Sequence, residues 1–214
     1  MIRTVIVEDN LMIQDYLAAM LGGDSRFQIA ARLRDAFEAE ALCAAGGVDL
    51  VLMDVQTLHN HSGLAAGARI RKSGCGAKVV AVTSLIDPEV LARARSGGAD
   101  SLWYKDYGEA DLRSVIERTL AGERVFPDSA PSVELKDMLS GEITPRQLAI
   151  LRRFVMGMTY DEIAAELGLT GRGVRWNIDQ IVEKGGFRNK HELLAALLGN
   201  KLIVTTLLDA PEET

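Results

Sequence analysis

Short apolar runs of strand length recur through the first half of this chain, separated by stretches in which apolar residues return every three or four positions. The runs are Thr4-Val5-Ile6-Val7, Phe27-Gln28-Ile29-Ala30-Ala31, Asp49-Leu50-Val51-Leu52-Met53, Lys78-Val79-Val80-Ala81-Val82 and Ser101-Leu102-Trp103-Tyr104. A run that is apolar at successive positions suits a central strand of a parallel sheet, buried on both faces. The stretches between them are helical in period, and three close at the glycine pairs 22–23, 46–47 and 97–98. Asp87-Pro88-Glu89 is a helix start, with a capping residue, a proline at the first position and an acid in the first turn. Five strands alternating with five helices predict an α/β fold, a doubly wound five-stranded parallel sheet.

That fold fixes where chemistry belongs. In an open parallel sheet ligands sit just beyond the carboxyl ends of the strands. The first run leads into Glu8 and Asp9, the third into Asp54, the fourth into Thr83 and Ser84, and the fifth into Lys105. One acid after a strand is ordinary turn chemistry; this set, each member at a strand end, is harder to dismiss. Clustered carboxylates repel one another unless a cation lies among them. Hard oxygen ligands at an open edge suit Mg2+, which prefers one or two carboxylates together with phosphate oxygens. A carboxylate can also be a nucleophile that carries an aspartyl-phosphate.

These residues resemble the receiver domain of bacterial two-component response regulators, over residues 1 to about 121. The resemblance implies a flavodoxin-like strand order 2-1-3-4-5, Asp54 as phosphoacceptor, and Mg2+ held by Glu8, Asp9, Asp54 and the backbone carbonyl of Gln56. It also implies Thr83 and Lys105 as phosphate-contacting switch residues. Two places depart from the family. In the loop 55–63, Leu58 stands where a proline is usual and the expected glycine comes one residue late, at Gly63. Leu102 stands where an aromatic often precedes the lysine by three; Trp103 and Tyr104 follow on opposite faces of the strand. His59 and His61 fall in the same loop; a metal or pH-sensing site is one reading of the pair, and polar residues of an exposed loop is the preferred one.

Residues 122–142 hold Gly122, Pro127, Ser129, Pro131, Ser132, Ser140 and Gly141, the composition of a linker, with a short helical turn expected at 133–139. Residues 143–200 are helical throughout. Thr144-Pro145 starts a helix, Thr159 caps a second, Gly168-Leu169 turns the chain, Thr170 caps a third, and a fourth spans about 190–198. Two helices joined by a short glycine turn predict a helix-turn-helix, so the second domain is small and all-α. The stretch from Ile143-Thr144-Pro145-Arg146-Gln147 through Leu169 resembles the LuxR-type DNA-binding domain, and the whole chain resembles a response regulator of the NarL/FixJ type. The remaining 201–214 is a tail.

Placing Val174, Ile178, Ile181 and Val182 inward on the third helix leaves Arg172, Trp176, Asp179, Gln180 and Glu183 outward, with Arg175 on the flank. Arg172, Arg175 and Lys184 are candidates for phosphate or guanine, Gln180 for adenine, Trp176 for thymine methyls, and Asp179 for cytosine. Within 144–201 nine Lys and Arg face six Asp and Glu, a weakly basic balance in a chain of net charge −6. Gly173, Asn177 and Asp161 depart from the residues usual in the family.

The leading reading is a transcription regulator, not an enzyme. A sensor histidine kinase would phosphorylate Asp54, and a homodimer would bind double-stranded DNA. A second reading, supported by Asp161, Gly173, Asp179 and Glu183, is a regulator acting through protein contacts with weakened DNA binding. No apolar run reaches the roughly 18 residues of a membrane span. With a strand at the N-terminus and no signal peptide, the expectation is a cytoplasmic protein without a membrane partner. Cys43 and Cys75 have neither metal-ligand spacing nor the pattern of a disulfide framework.

Overall fold

The computed structural model describes residues 1–106 and 111–205. They fall into two compact units, Met1–Ser129 and Ala130–Thr205. In the first, β1 (Ile2–Val7), β2 (Phe27–Leu33), β3 (Leu50–Asp54), β4 (Lys78–Thr83) and β5 (Ser101–Tyr104) form one parallel sheet in the order β2-β1-β3-β4-β5. The helices are α1 (Leu11–Gly22), α2 (Ala36–Ala44), α3 (Gly63–Lys72), α4 (Pro88–Arg93) and α5 (Leu112–Leu120). The doubly wound reading and its strand order hold.

Every residue of β3 is buried, as the unbroken apolar run requires of a strand covered on both faces. Ile6, Leu50, Leu52, Val80 and Val82 pack with Leu17 and Leu21 of α1 and with Leu112, Val115 and Ile116 of α5. Full burial of each large aliphatic side chain contributes about 1.5–3 kcal/mol. The inner face of α1 departs from the apolar spacing of Leu11, Met12, Leu17, Met20 and Leu21, which predicts all five as its buried side. Gln14 is buried with Leu17 and Leu21, whereas Leu11 and Met12 stand in solvent. The reason is polar: the Gln14 amide donates to the carbonyls of Glu8 at 3.1 Å and Leu33 at 2.8 Å, serving backbone at the ends of two strands.

The second unit begins inside the stretch that composition marks as linker. The helical turn expected at 133–139 is instead a hairpin, β6 (Glu134–Leu135) and β7 (Met138–Leu139), with Lys136 in left-handed backbone at its tip. Leu135 and Met138 form a cross-strand pair and both are buried, so this short segment has strand packing that helical spacing would not give. α6 (Pro145–Val155), α7 (Tyr160–Leu167), α8 (Gly171–Lys184) and α9 (Lys190–Gly199) follow. Thr144 and Thr159 close capping boxes with Gln147 and Glu162. Gly168 ends α7 in left-handed backbone, φ 64°, which sets the turn into α8. Beyond α9, Leu202 and Ile203 are buried, so the first residues of the expected tail belong to the second unit's core; the rest, 206–214, lies outside the described residues.

Candidate functional site

The parallel sheet brings the ends of β1, β3, β4 and β5 to one edge, with β1 beside β3. Carboxylate oxygens of Glu8, Asp9 and Asp54 lie within 4.8 Å of one another there. The Lys105 ammonium reaches across the edge, 2.6 Å from Glu8 Oε2 and 2.8 Å from Asp54 Oδ2. Glu8 is 1 % exposed and Asp54 8 %. Burial is the main influence on Asp54 and pushes its carboxyl up to about 7; the Lys105 ammonium and the Gln56 N–H oppose that, and the Glu8 carboxylate adds to it. Burial alone would lower the Lys105 ammonium, but Asp54 and Glu8 outweigh it and hold its pKa above the usual lysine value.

Thr83 is fully buried next to this group. Its hydroxyl accepts from the Leu85 N–H at 3.0 Å, and its carbonyl accepts from the Lys105 N–H at 2.8 Å. Gln56 pairs with Ser62 across a tight loop, but the bonds of that pairing come from Thr57 N–H to His61 O and from Gly63 N–H to Val55 O. The Gln56 carbonyl therefore takes no part in that pairing, while its side chain donates to Asn60 at 2.8 Å. The glycine that comes one residue late has a steric reason: a Cβ at Gly63 would stand 1.9 Å from the Asp54 carbonyl oxygen. The longer loop is taken up by His59 and Asn60, both in left-handed backbone at φ 62°. Such conformations cost about 1–3 kcal/mol each and persist only where neighbours hold them. Here the neighbour is the β2–α2 corner, where His61 Nδ1 meets Asp35 at 2.8 Å; His61 is thereby half-buried, whereas His59 is exposed, as expected.

Sequence patterning missed Asn10 and Gln14. Asn10 caps α1 with its side chain, and its own N–H donates to Glu8 Oε1 at 3.1 Å. Its place just before a helical run was the available signal. In β5, Leu102 and Tyr104 share one face, and Trp103 packs on the opposite side against the core that holds Leu112, Val115 and Ile116 of α5. The Tyr104 hydroxyl is buried without a partner among the described residues; burial pushes it up to about 12, with Asp87 adding to the shift.

On α8, Val174, Ile178 and Ile181 face the core, and Val182 is only half-buried. Arg172, Arg175, Trp176, Asp179, Gln180 and Lys184 are all exposed. Two of the three cations already have acidic neighbours: Arg175 lies 3.5 Å from Asp179, and Lys184 lies 2.6 Å from Glu142. Asp161 of α7 stands against the first residue of α8, where a Cβ on Gly171 would meet its Oδ1 at 2.4 Å.

A match to the family described as "Response regulator receiver domain" covers residues 4–117. The chain belongs to that family. Among curated relatives, this response regulator is 29 % identical over 192 residues to the uncharacterized transcriptional regulatory protein YvfU of Bacillus subtilis, covering 90 % of this chain and 94 % of that one. It is 27 % identical over 192 residues to the response regulator VraR of Staphylococcus aureus, covering 86 % and 90 %. Among solved structures, RcsB of Salmonella enterica bound to promoter rprA aligns with a TM-score of 0.60 at 16 % identity, over 92 % of this chain and 98 % of that one. A LuxR-family response regulator from Aurantimonas aligns with a TM-score of 0.53 at 25 % identity, over 60 % and 89 %. The two-part architecture, a receiver followed by a helical domain, is thus shared with known response regulators. Among the described residues no helix is long and apolar enough to cross a membrane.

Proposed function

We propose that this response regulator controls transcription as a DNA-binding homodimer, switched by transfer of a phosphoryl group from a sensor histidine kinase to Asp54. In this reading the receiver spans 1–121 and the DNA-binding domain 143–200, and the protein works in the cytoplasm as a regulator rather than as an enzyme on a separate substrate. The observation that carries it is the Lys105 ammonium set between the carboxylates of Glu8 and Asp54 at the carboxyl edge of the sheet. The charge count supports a divalent cation, because three carboxylates gather around a single ammonium. Glu8, Asp9, Asp54 and the Gln56 carbonyl offer the hard oxygens that Mg2+ takes. When bound, Mg2+ would offset the negative charge of the carboxylates and of the incoming phosphoryl group.

The chemistry of the chain's own residues follows from their placement. An Asp54 oxygen attacks phosphorus, an O–P bond forms and the P–N bond to the donor histidine breaks, leaving that imidazole to take up a proton. Attack needs the ionised carboxylate, which Lys105 favours against burial. In the product Lys105 exchanges its contact with Asp54 for a phosphoryl oxygen, and the Thr83 hydroxyl turns from the Leu85 N–H toward the same group. Relatives that are named as transcriptional regulatory proteins, and the likeness to RcsB solved on promoter DNA, support the output step, with α8 entering the major groove. Arg172, Gln180 and Trp176 would be the leading contacts, with Arg175 and Lys184 on phosphates and Asp179 toward cytosine.

A second reading is favoured by one observation: Arg175 and Lys184 spend charge on Asp179 and Glu142, leaving an exposed Trp176 between them. A surface of that kind also suits a protein partner. Mobility-shift titration of a duplex from upstream of the protein's own gene, with and without beryllofluoride, decides. The leading reading expects a shift that tightens with the phosphate mimic. No shift in either condition would favour the protein-contact reading.

A further inference from the structure

The loop that follows Asp54 is tied to the corner between β2 and α2. Leu58 N–H donates to the Arg34 carbonyl at 3.0 Å, and the Thr57 hydroxyl accepts from the Ala36 N–H at 3.1 Å. The third tie is the one that carries charge. His61 Nδ1 lies 2.9 and 2.8 Å from the two oxygens of Asp35, the residue that caps α2, and the two side chains are only 22 % and 14 % exposed. The His61 ring also stacks on Phe37 with centroids 4.1 Å apart.

We propose that His61 is a positioning residue for the phosphoacceptor: its pairing with Asp35 latches residues 55–63 to α2. The proposal rests on the reading of Asp54 as the acceptor, because what the latch positions is the segment that starts beside it. The Gln56 N–H points at Asp54 Oδ1 from 3.4 Å, and Gly63 closes the loop against the Asp54 carbonyl. A loop with two consecutive left-handed residues needs outside support to keep one shape. An N–H at Nδ1 gives the Asp35 carboxylate a charge-assisted hydrogen bond in a half-buried place.

The other charges around the ring leave Asp35 as its direct ionic partner. Arg69 of α3 stacks on Phe37 at 5.1 Å and is itself held by Glu40 of α2 at 2.6 Å. His59, from the same loop, has its ring 5.8 Å away.

Two measurements test this. The first is the rate of phosphorylation by acetyl phosphate with Mg2+, compared among the wild type, His61→Ala and His61→Asn. Alanine removes the donor to Asp35, whereas asparagine keeps a neutral donor near the place of Nδ1. His61→Ala is expected to be slower by about fivefold and His61→Asn to stay within about twofold of the wild type. The second is amide hydrogen exchange of Leu58 and Asn60 in an Asp54→Asn background, where phosphorylation plays no part. Adding His61→Ala should lower protection by about tenfold, and adding His61→Asn by much less. A His61→Ala rate equal to that of the wild type, or loop amides indifferent to His61→Ala, overturns the latch. A wild type that takes no phosphoryl group overturns the reading of Asp54, and the positioning role with it.

Discussion

At Asp54 two effects of burial compete. The sheet edge removes the carboxylate from water and sets it beside Glu8, while the Lys105 ammonium at 2.8 Å keeps it within reach of ionisation. A carboxyl whose folded pKa lies above its unfolded value binds more protons when folded, so its contribution to stability falls as pH rises between about 4 and 7. Asp54→Asn removes that loss. Its Tm relative to the wild type should therefore be more favourable at pH 8 than at pH 5, by roughly 5 °C, in a thermal melt without divalent cations. An equal difference at both pH values would mean that Asp54 does not titrate in this window. Tyr104 makes a second residue-level case. Its hydroxyl has no partner among the described residues, and an unsatisfied buried hydroxyl costs about 1–3 kcal/mol, so Tyr104→Phe should raise stability to urea by about 1 kcal/mol. A loss of stability would show that the hydroxyl is bonded.

At the scale of elements, what could be read in the sequence follows burial. β3, β4 and the site residues after them were legible because strands covered on both faces must be apolar throughout, and a polar residue marks where each one ends. The inner face of α1 was not, because a buried Gln14 that serves two strand-end carbonyls looks polar to any periodicity. The 134–139 hairpin has two-residue strands, too short to show alternation. His61 was misjudged because its partner, Asp35, lies 26 residues away. The exposed face of α8 was legible, but its pairing was not: Glu142 comes from outside the helix. If α8 enters the groove, Asp179→Lys removes a repulsive charge and frees Arg175. Nonspecific duplex binding should then tighten, and the slope of log K against log salt should steepen by about one unit per new phosphate contact. Arg175→Ala should do the reverse. Fluorescence anisotropy across a salt series measures both, and unchanged slopes in both variants would take α8 off the DNA.

At the scale of the whole molecule, a single helix-turn-helix makes few base contacts, so specific binding calls for two half-sites and two copies. α9 carries Leu193, Leu194, Leu197 and Leu198, an apolar set suited by its spacing to contact with a second copy. Leu193 and Leu197 are spent on the domain's own core, which leaves Leu198, 46 % exposed, and the half-buried Leu194. Leu198→Asp should weaken binding to a duplex with two half-sites by about tenfold and leave a single half-site nearly unaffected; an equal loss on both would place Leu198 outside the dimer contact. The central claim joins the two units: phosphorylation of Asp54 changes how the second unit meets DNA. Its most direct test treats one sample with acetyl phosphate and Mg2+, then measures intact mass and duplex affinity side by side. The wild type should gain one hydroxylamine-sensitive phosphoryl group and bind about tenfold more tightly, and Asp54→Asn should do neither. An Asp54→Asn protein that still gains the group, or a phosphorylated wild type that binds DNA as before, would contradict the account.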